Sequence, residues 1–305
     1  GRSAQVRPLN GRREGVSSRL HTGLLLTAAI VVGWFVSLAE LLVTGPHQLS
    51  WWGLILAVLI RSQLQTGLFI IGHDAMHGVL WPGRSRWNDA LGAFALGLYA
   101  ALPYQLCRRK HQRHHNATAT ASDPDFPSDH SSGIWSWYRQ FMAGYLSWGQ
   151  MTRLLTGWAL LVLLLGPGHV AAWESVLLFC TLPLLISSLQ LFVFGTYLPQ
   201  RDQRWPDRQA EPRSLDLPPL LSLLACFHFG YHREHHDHPD LSWFELPSAR
   251  DGFNLKDYVS ALEIAFIRVA LEDEDGSVSA AARRLGIQRT TLIEKMRKFG
   301  IGRPD

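Results

Sequence analysis

Three short histidine clusters hold the side chains in this sequence best suited to chemistry. The first is Gly72-His73-Asp74-Ala75-Met76-His77, and the second is His111-Gln112-Arg113-His114-His115. The third is His232-Arg233-Glu234-His235-His236, with His228 four residues ahead of it. The chain has fourteen histidines in 305 residues, and nine of them fall in or beside these clusters. On a helix, residues three and four apart share one face, with about 5–6 Å between Cβ atoms. An HxxxH pair and two HxxHH triplets therefore each aim their imidazoles one way. Eight ligands result, and His228, at i−4 from His232, makes nine.

One zinc ion cannot use such a set, because structural zinc takes four ligands and catalytic zinc three. Two six-coordinate irons sharing these imidazoles, with positions left open for oxygen, fit the count. Zinc and copper also bind imidazole, so the number of metals is better specified than their identity. Asp74, Glu234, Asp123 and Asp125 lie close in sequence to the clusters and are candidates to accept the second imidazole N–H and orient the rings. The three cysteines, Cys107, Cys180 and Cys226, show no CxxC spacing, which argues against a disulfide framework or a thiolate zinc site.

The elements that must position these groups are apolar. Hydrophobic residues make up an ordinary 47% of the chain, but they gather into runs separated by charged segments. Gly23–Val43 is one such run, about 31 Å long as a helix and matched to a hydrocarbon core of about 30 Å. A second, Trp51–Ile71, carries Arg61, Gln63 and Gln65, polar residues that at such depth face a bundle interior. These two runs form a helical hairpin. Leu154–Leu165 and Trp173–Leu198 form another, with a kink expected at Pro183. Ala90–Leu106 is too short for a confident span and reads as re-entrant or interfacial. The aromatic-rich Ile134–Trp148 reads as a helix lying in the interface.

Neither hairpin turn (44–50 and 167–172) contains Lys or Arg. The opposite side holds the basic tail of residues 1–22, the Arg108-Arg109-Lys110 run and the Arg201–Arg213 loop. The positive-inside rule makes that side cytoplasmic, with both chain ends and all three histidine clusters on it. The fold class expected is all-α. A polytopic membrane domain over 23–248 has four spans in two hairpins, interfacial helices and a cytoplasmic metal-bearing cap.

These histidine boxes, at these spacings, resemble the membrane fatty-acid desaturase and hydroxylase superfamily. Within it, the flanking phrases resemble the bacterial β-carotene ketolases over roughly residues 15–248. The phrases are Gly72–Gly78, His114-His115 leading to Asp123-Pro124-Asp125-Phe126, Phe194-Gly195-Thr196-Tyr197-Leu198-Pro199, and Phe227–His232. Gln200 departs from the pattern, where the resemblance leads one to expect histidine after Leu-Pro. The resemblance implies two ferrous irons held by His73, His77, His111, His114, His115, His232, His235 and His236, with His228 as a ninth ligand. Asp123 or Asp125 is then a required acid near the metals. The implied activity is O2-dependent oxidation of the C4 methylene of a β-ionone ring to a ketone, by two hydroxylations and loss of water. The carotenoid would come from the bilayer of a bacterial inner membrane, and the electrons from an external donor such as ferredoxin. No nucleotide-binding signature is present, so no nucleotide cofactor is expected on this chain. A carotenoid or fatty-acyl hydroxylase or desaturase on the same site is the alternative enzyme.

From Gly252 the character changes. Asn254 is placed to cap a helix reaching about Glu272, with Leu255, Tyr258, Val259, Leu262, Phe266 and Val269 on one face. A small-residue helix around Ala280–Arg284, a turn containing Gly286 and a basic helix from Thr290 then read as helix-turn-helix. Residues 252–305 resemble the Fis-like DNA-binding domain of bacterial enhancer-binding regulators, a three-helix unit. Residues 276–305 carry a basic excess of five. DNA contacts are expected from Arg289, Thr290, Thr291 and Lys295, and the resemblance makes the first helix a homodimer contact. A fusion in which the tail dimerises the enzyme and a membrane-tethered DNA-binding regulator are both compatible with this pattern.

Overall fold

A computed structural model describes residues 10–118, 120, 122–126, 133–166, 172–201, 213–250, 263, 266–274, 276–299 and 301. Helix is the only regular structure among the described residues. The chain divides into two compact units, Gly1–Pro247 and Ser248–Asp305.

Helix α1 (Asn10–Thr44) starts inside the segment read as a tail. Residues after Asn10 contain no proline and include Arg, Glu and Leu, which favour helix, so the polar stretch continues the apolar one. Its portion Arg19–Thr44 is long and apolar enough to cross a membrane. A Gly45 turn and a 3₁₀ turn at Pro46–Gln48 lead to α2 (Trp51–His77), whose N-terminus is capped by Ser50 accepting from the Gly53 N–H at 3.1 Å. Gly78, with φ 76°, ends it in the left-handed conformation that glycine adopts without steric cost.

The stretch read as re-entrant is one arm of a sharp bend. Helices α3 (Ser85–Ala100) and α4 (Tyr104–Ala117) meet at 99°. Ala101 takes a left-handed φ of 53°, and Pro103 disfavours helix in the residue before it. Gly92 lets α3 press onto α2, since a Cβ there would overlap Ala75.

The aromatic segment forms α5 (Ile134–Tyr145), which ends before Trp148. Ser147 then caps a new helix, α6 (Trp148–Leu165), so Trp148 opens a span and does not close an interfacial helix. The turn at 167–171 and most of the basic loop, 202–212, lie outside the described residues.

Helix α7 (Ala172–Gln200) contains two π-helical turns, at Leu177–Thr181 and Phe192–Tyr197. The first immediately precedes Pro183, whose ring nitrogen cannot bond the Phe179 carbonyl one turn back. That carbonyl instead accepts from Arg61 Nε at 3.1 Å. Arg61 is fully buried, donates Nη1 to the Trp34 carbonyl at 2.8 Å and lies over the Trp34 ring. The polar residues of α2 thus face the bundle interior as expected, tying α1, α2 and α7 together.

Four helical stretches are long and apolar enough to cross a membrane: Arg19–Thr44, α2, α6 and α7; the bent α3–α4 pair is a fifth if it counts as one span. Their outer faces expose Val32, Leu56, Leu59, Leu160, Leu163 and Leu164. In water such a surface would drive association, whereas in a membrane protein it meets lipid. The first unit continues through the short helices α8 (Pro219–Cys226) and α9 (His232–Asp237), and α10 (Leu246–Arg250) crosses the boundary between the units.

The second unit packs α11 (266–273), α12 (Val278–Arg284) and α13 (Arg289–Phe299) around Ile267, Leu271, Ala281, Leu292 and Met296. Residues 254–262 of the expected first helix lie outside the described residues. Within the described part, Ile267, Ala270 and Leu271 are buried, whereas Phe266 and Val269 are exposed. The buried face is therefore the one beside the apolar stripe read from the sequence.

Candidate metal centre

Each histidine cluster sits where the chain has just been redirected. His73 and His77 occupy the last turns of α2, one turn apart. The α3–α4 bend carries His111, His114 and His115 to the same place. His232, His235 and His236 lie on α9, which follows a reversal through Phe227 (φ 48°) and His228 (φ 62°). Left-handed backbone at two successive non-glycine residues costs energy, of order 1–3 kcal/mol each, and persists only where the surrounding structure imposes it. Phe229, just after the reversal, packs edge-on against His73 with ring centroids 4.7 Å apart. Gly195 in α7 makes room for that ring, since a Cβ there would overlap it.

Two nitrogen groups result. His73, His77, His111 and His235 offer one, and His114, His232 and His236 the other, each within 4.8 Å. His115 joins both: its Nε2 is 3.0 Å from His235 Nε2, and its ring stacks on His236 at 4.1 Å. His77 Nε2 lies 2.6 Å from His111 Nε2, and His236 Nε2 lies 3.1 Å from His114 Nε2. His73 Nε2 is buried with no hydrogen-bond partner among the described residues.

A neutral imidazole donates from one nitrogen and accepts at the other, so four rings converging on one point cannot all satisfy one another. A cation accepts every lone pair at once, and these donors fit one at each group. Burial, reinforced by the neighbouring imidazoles, pushes His232 and His235 far below the usual imidazole range. They therefore remain in the neutral form that binds metal.

The acids divide by role. Asp123 Oδ1 lies 2.8 Å from His114 Nδ1, which puts the proton on Nδ1 and frees Nε2 for the group. Asp125 Oδ2 is 4.0 Å from the same nitrogen, and its Oδ1 accepts from the Tyr145 hydroxyl at 3.2 Å. Burial raises the Asp125 carboxyl above the usual carboxylate range. Asp123 and Asp125 also form a third potential metal-holding group with His114. That grouping meets His114 on its Nδ1 side, and an orienting carboxylate accounts for the short contact.

Two expected orienting acids have other partners. Asp74 is 3.7 Å from His73 Nδ1, beyond hydrogen-bonding distance, and accepts from the Trp243 N–H at 3.2 Å. Glu234 accepts from the Ser214 hydroxyl. His228 is absent from both nitrogen groups. It stacks on Tyr231, its Nδ1 is buried without a partner among the described residues, and burial lowers it to about 4.

Sequence reasoning missed two neighbours of the site. Tyr145 was one aromatic among many in an apparent interfacial helix. Gln200, noted only as a departure, has Nε2 at 3.4 Å from His232 Nε2.

Next to the metal groups lies an apolar cavity of about 320 Å³, lined by residues of α2, α3, α5, α6 and α7 and of the α3–α4 bend, among them Leu102, Met142, Leu154 and Trp158. Phe69, Phe141, Tyr145 and Leu191 line both this cavity and the small one bounded by His73, His111 and His235. Nothing in the sequence pattern marked it, because its walls come from helices far apart in the chain.

In the second unit Arg289 and Thr290 are exposed and Thr291 is half-buried. Lys295 pairs with Glu263 at 2.9 Å, so one of the expected DNA contacts is engaged within the unit.

A membrane-type helical bundle whose redirected ends gather eight imidazoles defines a class, and comparison with known proteins agrees. Residues 49–259 match the Fatty acid desaturase family, and the chain belongs to it. Among its relatives, a beta-carotene ketolase from Paracoccus sp. (strain PC1) is 40% identical over 248 residues, covering 79% of this chain and 98% of the relative. A second beta-carotene ketolase, from Paracoccus sp. (strain N81106 / MBIC 01143), is also 40% identical, covering 75% and 92%. A zeaxanthin 4-ketolase from Chlamydomonas reinhardtii is 36% identical, covering 80% of this chain and 55% of the relative. Residues 259–299 match the family described as Bacterial regulatory protein, Fis family.

Proposed function

We propose that the chain is a carotenoid 4-ketolase, converting the C4 methylene of β-ionone rings to a ketone at a histidine-held pair of irons. The observation that carries this reading is the convergence of eight imidazole rings beside an apolar cavity whose lining residues it shares. When bound, such a metal pair supplies oxidation of an unactivated C–H bond with O2 and electrons. The chain's own residues do the rest. Phe69, Phe141 and Leu191 exclude water and hold an apolar ring end against the metal side. Asp123 fixes His114 in its metal-binding tautomer. Asp125, whose carboxyl burial raises above the usual carboxylate range, accepts from the Tyr145 hydroxyl next to the groups. The ketolase relatives support the substrate class, and a long apolar rod suits a cavity that opens among lipid-facing helices.

The basic segments on the histidine side support a cytoplasmic orientation in a bacterial inner membrane, where a separate electron donor such as ferredoxin has access. The second unit is read as a dimerising appendage, with DNA binding as its testable alternative. The decisive experiment is pigment analysis of a β-carotene-producing bacterium expressing the full chain. Mono- or diketone should appear with the intact protein and be absent with His114→Ala. Unchanged β-carotene from a folded, iron-loaded protein would defeat the ketolase reading and direct attention to acyl substrates.

A further inference from the structure

Gln200 ends α7 and is 1% exposed. Buried polar atoms almost always have partners, yet its Oε1 has none among the described residues. Its Nε2 lies 3.4 Å from Nε2 of His232, a ring grouped with His114 and His236. That imidazole lone pair cannot accept from an amide N–H and also bind a cation. Amide oxygen and nitrogen have nearly the same shape, and turning the group by 180° exchanges them in place. In the turned orientation the carbonyl oxygen stands where Nε2 does, about 3.4 Å from His232 Nε2, and both atoms then present lone pairs.

The two nitrogen groups are also unequal. One gathers four imidazoles and the other three, before His115 is assigned to either. Gln200 stands beside the shorter set. We propose that Gln200 ligates, through its amide carbonyl oxygen, the metal held by His114, His232 and His236. The proposal rests on the two-metal reading above. It makes the two metals chemically different, one held by nitrogen donors and the other by a mixed set with a neutral oxygen. The mixed site then holds its metal less tightly, because the amide oxygen is the weaker donor to a borderline cation such as ferrous iron.

The test uses the full chain, purified in detergent and loaded with ⁵⁷Fe, with Mössbauer spectra and iron retention under a chelator as readouts. Wild type should hold two irons per chain and give two distinct ferrous doublets. Gln200→Leu should alter one doublet, leave the other in place and release one iron roughly tenfold more readily. Gln200→Glu keeps an oxygen donor, so it should retain both irons while shifting the same doublet. Two irons with both doublets unchanged in either variant would overturn the role of Gln200 and leave the two-metal reading intact. Fewer than two irons in wild type would overturn the two-metal reading itself, and the proposal with it. The spectra do not depend on product formation, so ketolase activity does not enter the outcome.

Discussion

The two units of this chain place their polar groups in opposite ways. In the membrane unit the decisive side chains are buried: His73, His114, His232 and His235 are each no more than 4% exposed, and the apolar residues face outward. In the C-terminal unit a small apolar core, built on Ala281 and Leu292, lies inside, and Arg289 and Thr290 face out. Chemistry on an apolar substrate needs groups withdrawn from water and satisfied by an ion, whereas contact with a polyanion needs groups left in water. The proposed chemistry of the first unit and the alternative DNA reading of the second therefore predict different responses to substitution.

The comparison breaks most sharply at His114. Replacing it with Ala should abolish ketone formation and lower bound iron, as read by pigment chromatography and metal analysis. Unimpaired product would remove the membrane unit's side of the contrast. Leu292→Ala should cost the second unit about 2–5 kcal/mol, a cavity cost for a fully buried leucine. Hydrogen exchange should show α12 and α13 opening while ketone yield stays at the wild-type level. A parallel loss of product would mean that catalysis requires the tail.

Asp123→Asn sharpens the description of the buried side. Losing the carboxylate that orients His114 should weaken metal binding about 10- to 100-fold without unfolding the protein, measurable by chelator competition. Acidity acts in the same region. An unfolded imidazole takes a proton near 6.5, whereas buried His232 and His235 do so only far below that. The unfolded state therefore binds more protons below about pH 6.5, so the metal-free membrane unit should have its full stability above that pH and lose it as pH falls. Denaturation at a series of pH values checks the sign. The smallest effect belongs to the exposed side. Lys295→Ala removes a half-exposed pair with Glu263 and should cost less than about 1 kcal/mol in thermal melts of the second unit.

Much of this architecture was legible because membrane helices and helical histidine spacing are local signals. The two hairpins, the inward-facing Arg61 and Gln65, and the three histidine clusters all follow from periodicity and run length. The α3–α4 bend was harder to read, because Ala101 has no side-chain preference for left-handed backbone and only Pro103 marked the position. His228 had the right spacing, but the reversal at Phe227 and His228 takes it off the helix on which that spacing would count. Asp74 and Glu234 were adjacent in sequence to the clustered histidines, yet adjacency on a helix points neighbouring side chains apart. The apolar cavity and Gln200 depend on contacts between distant helices, which no window of sequence displays.

The Pro183 break in α7 also constrains how the protein is assembled. Proline in a span leaves a carbonyl unbonded, and here the Phe179 carbonyl receives a guanidinium from another helix. Arg61 can reach it only after α7 has entered the bilayer, more than a hundred residues later in synthesis. Until then the guanidinium has only its α1 partners, the Trp34 carbonyl and the Ser37 hydroxyl, to offset the cost of an arginine within a span, about 2.5–3.5 kcal/mol on insertion scales. The later helix thus completes the earlier hairpin's insertion. The docking of Arg61 on that carbonyl ties the second hairpin to the first.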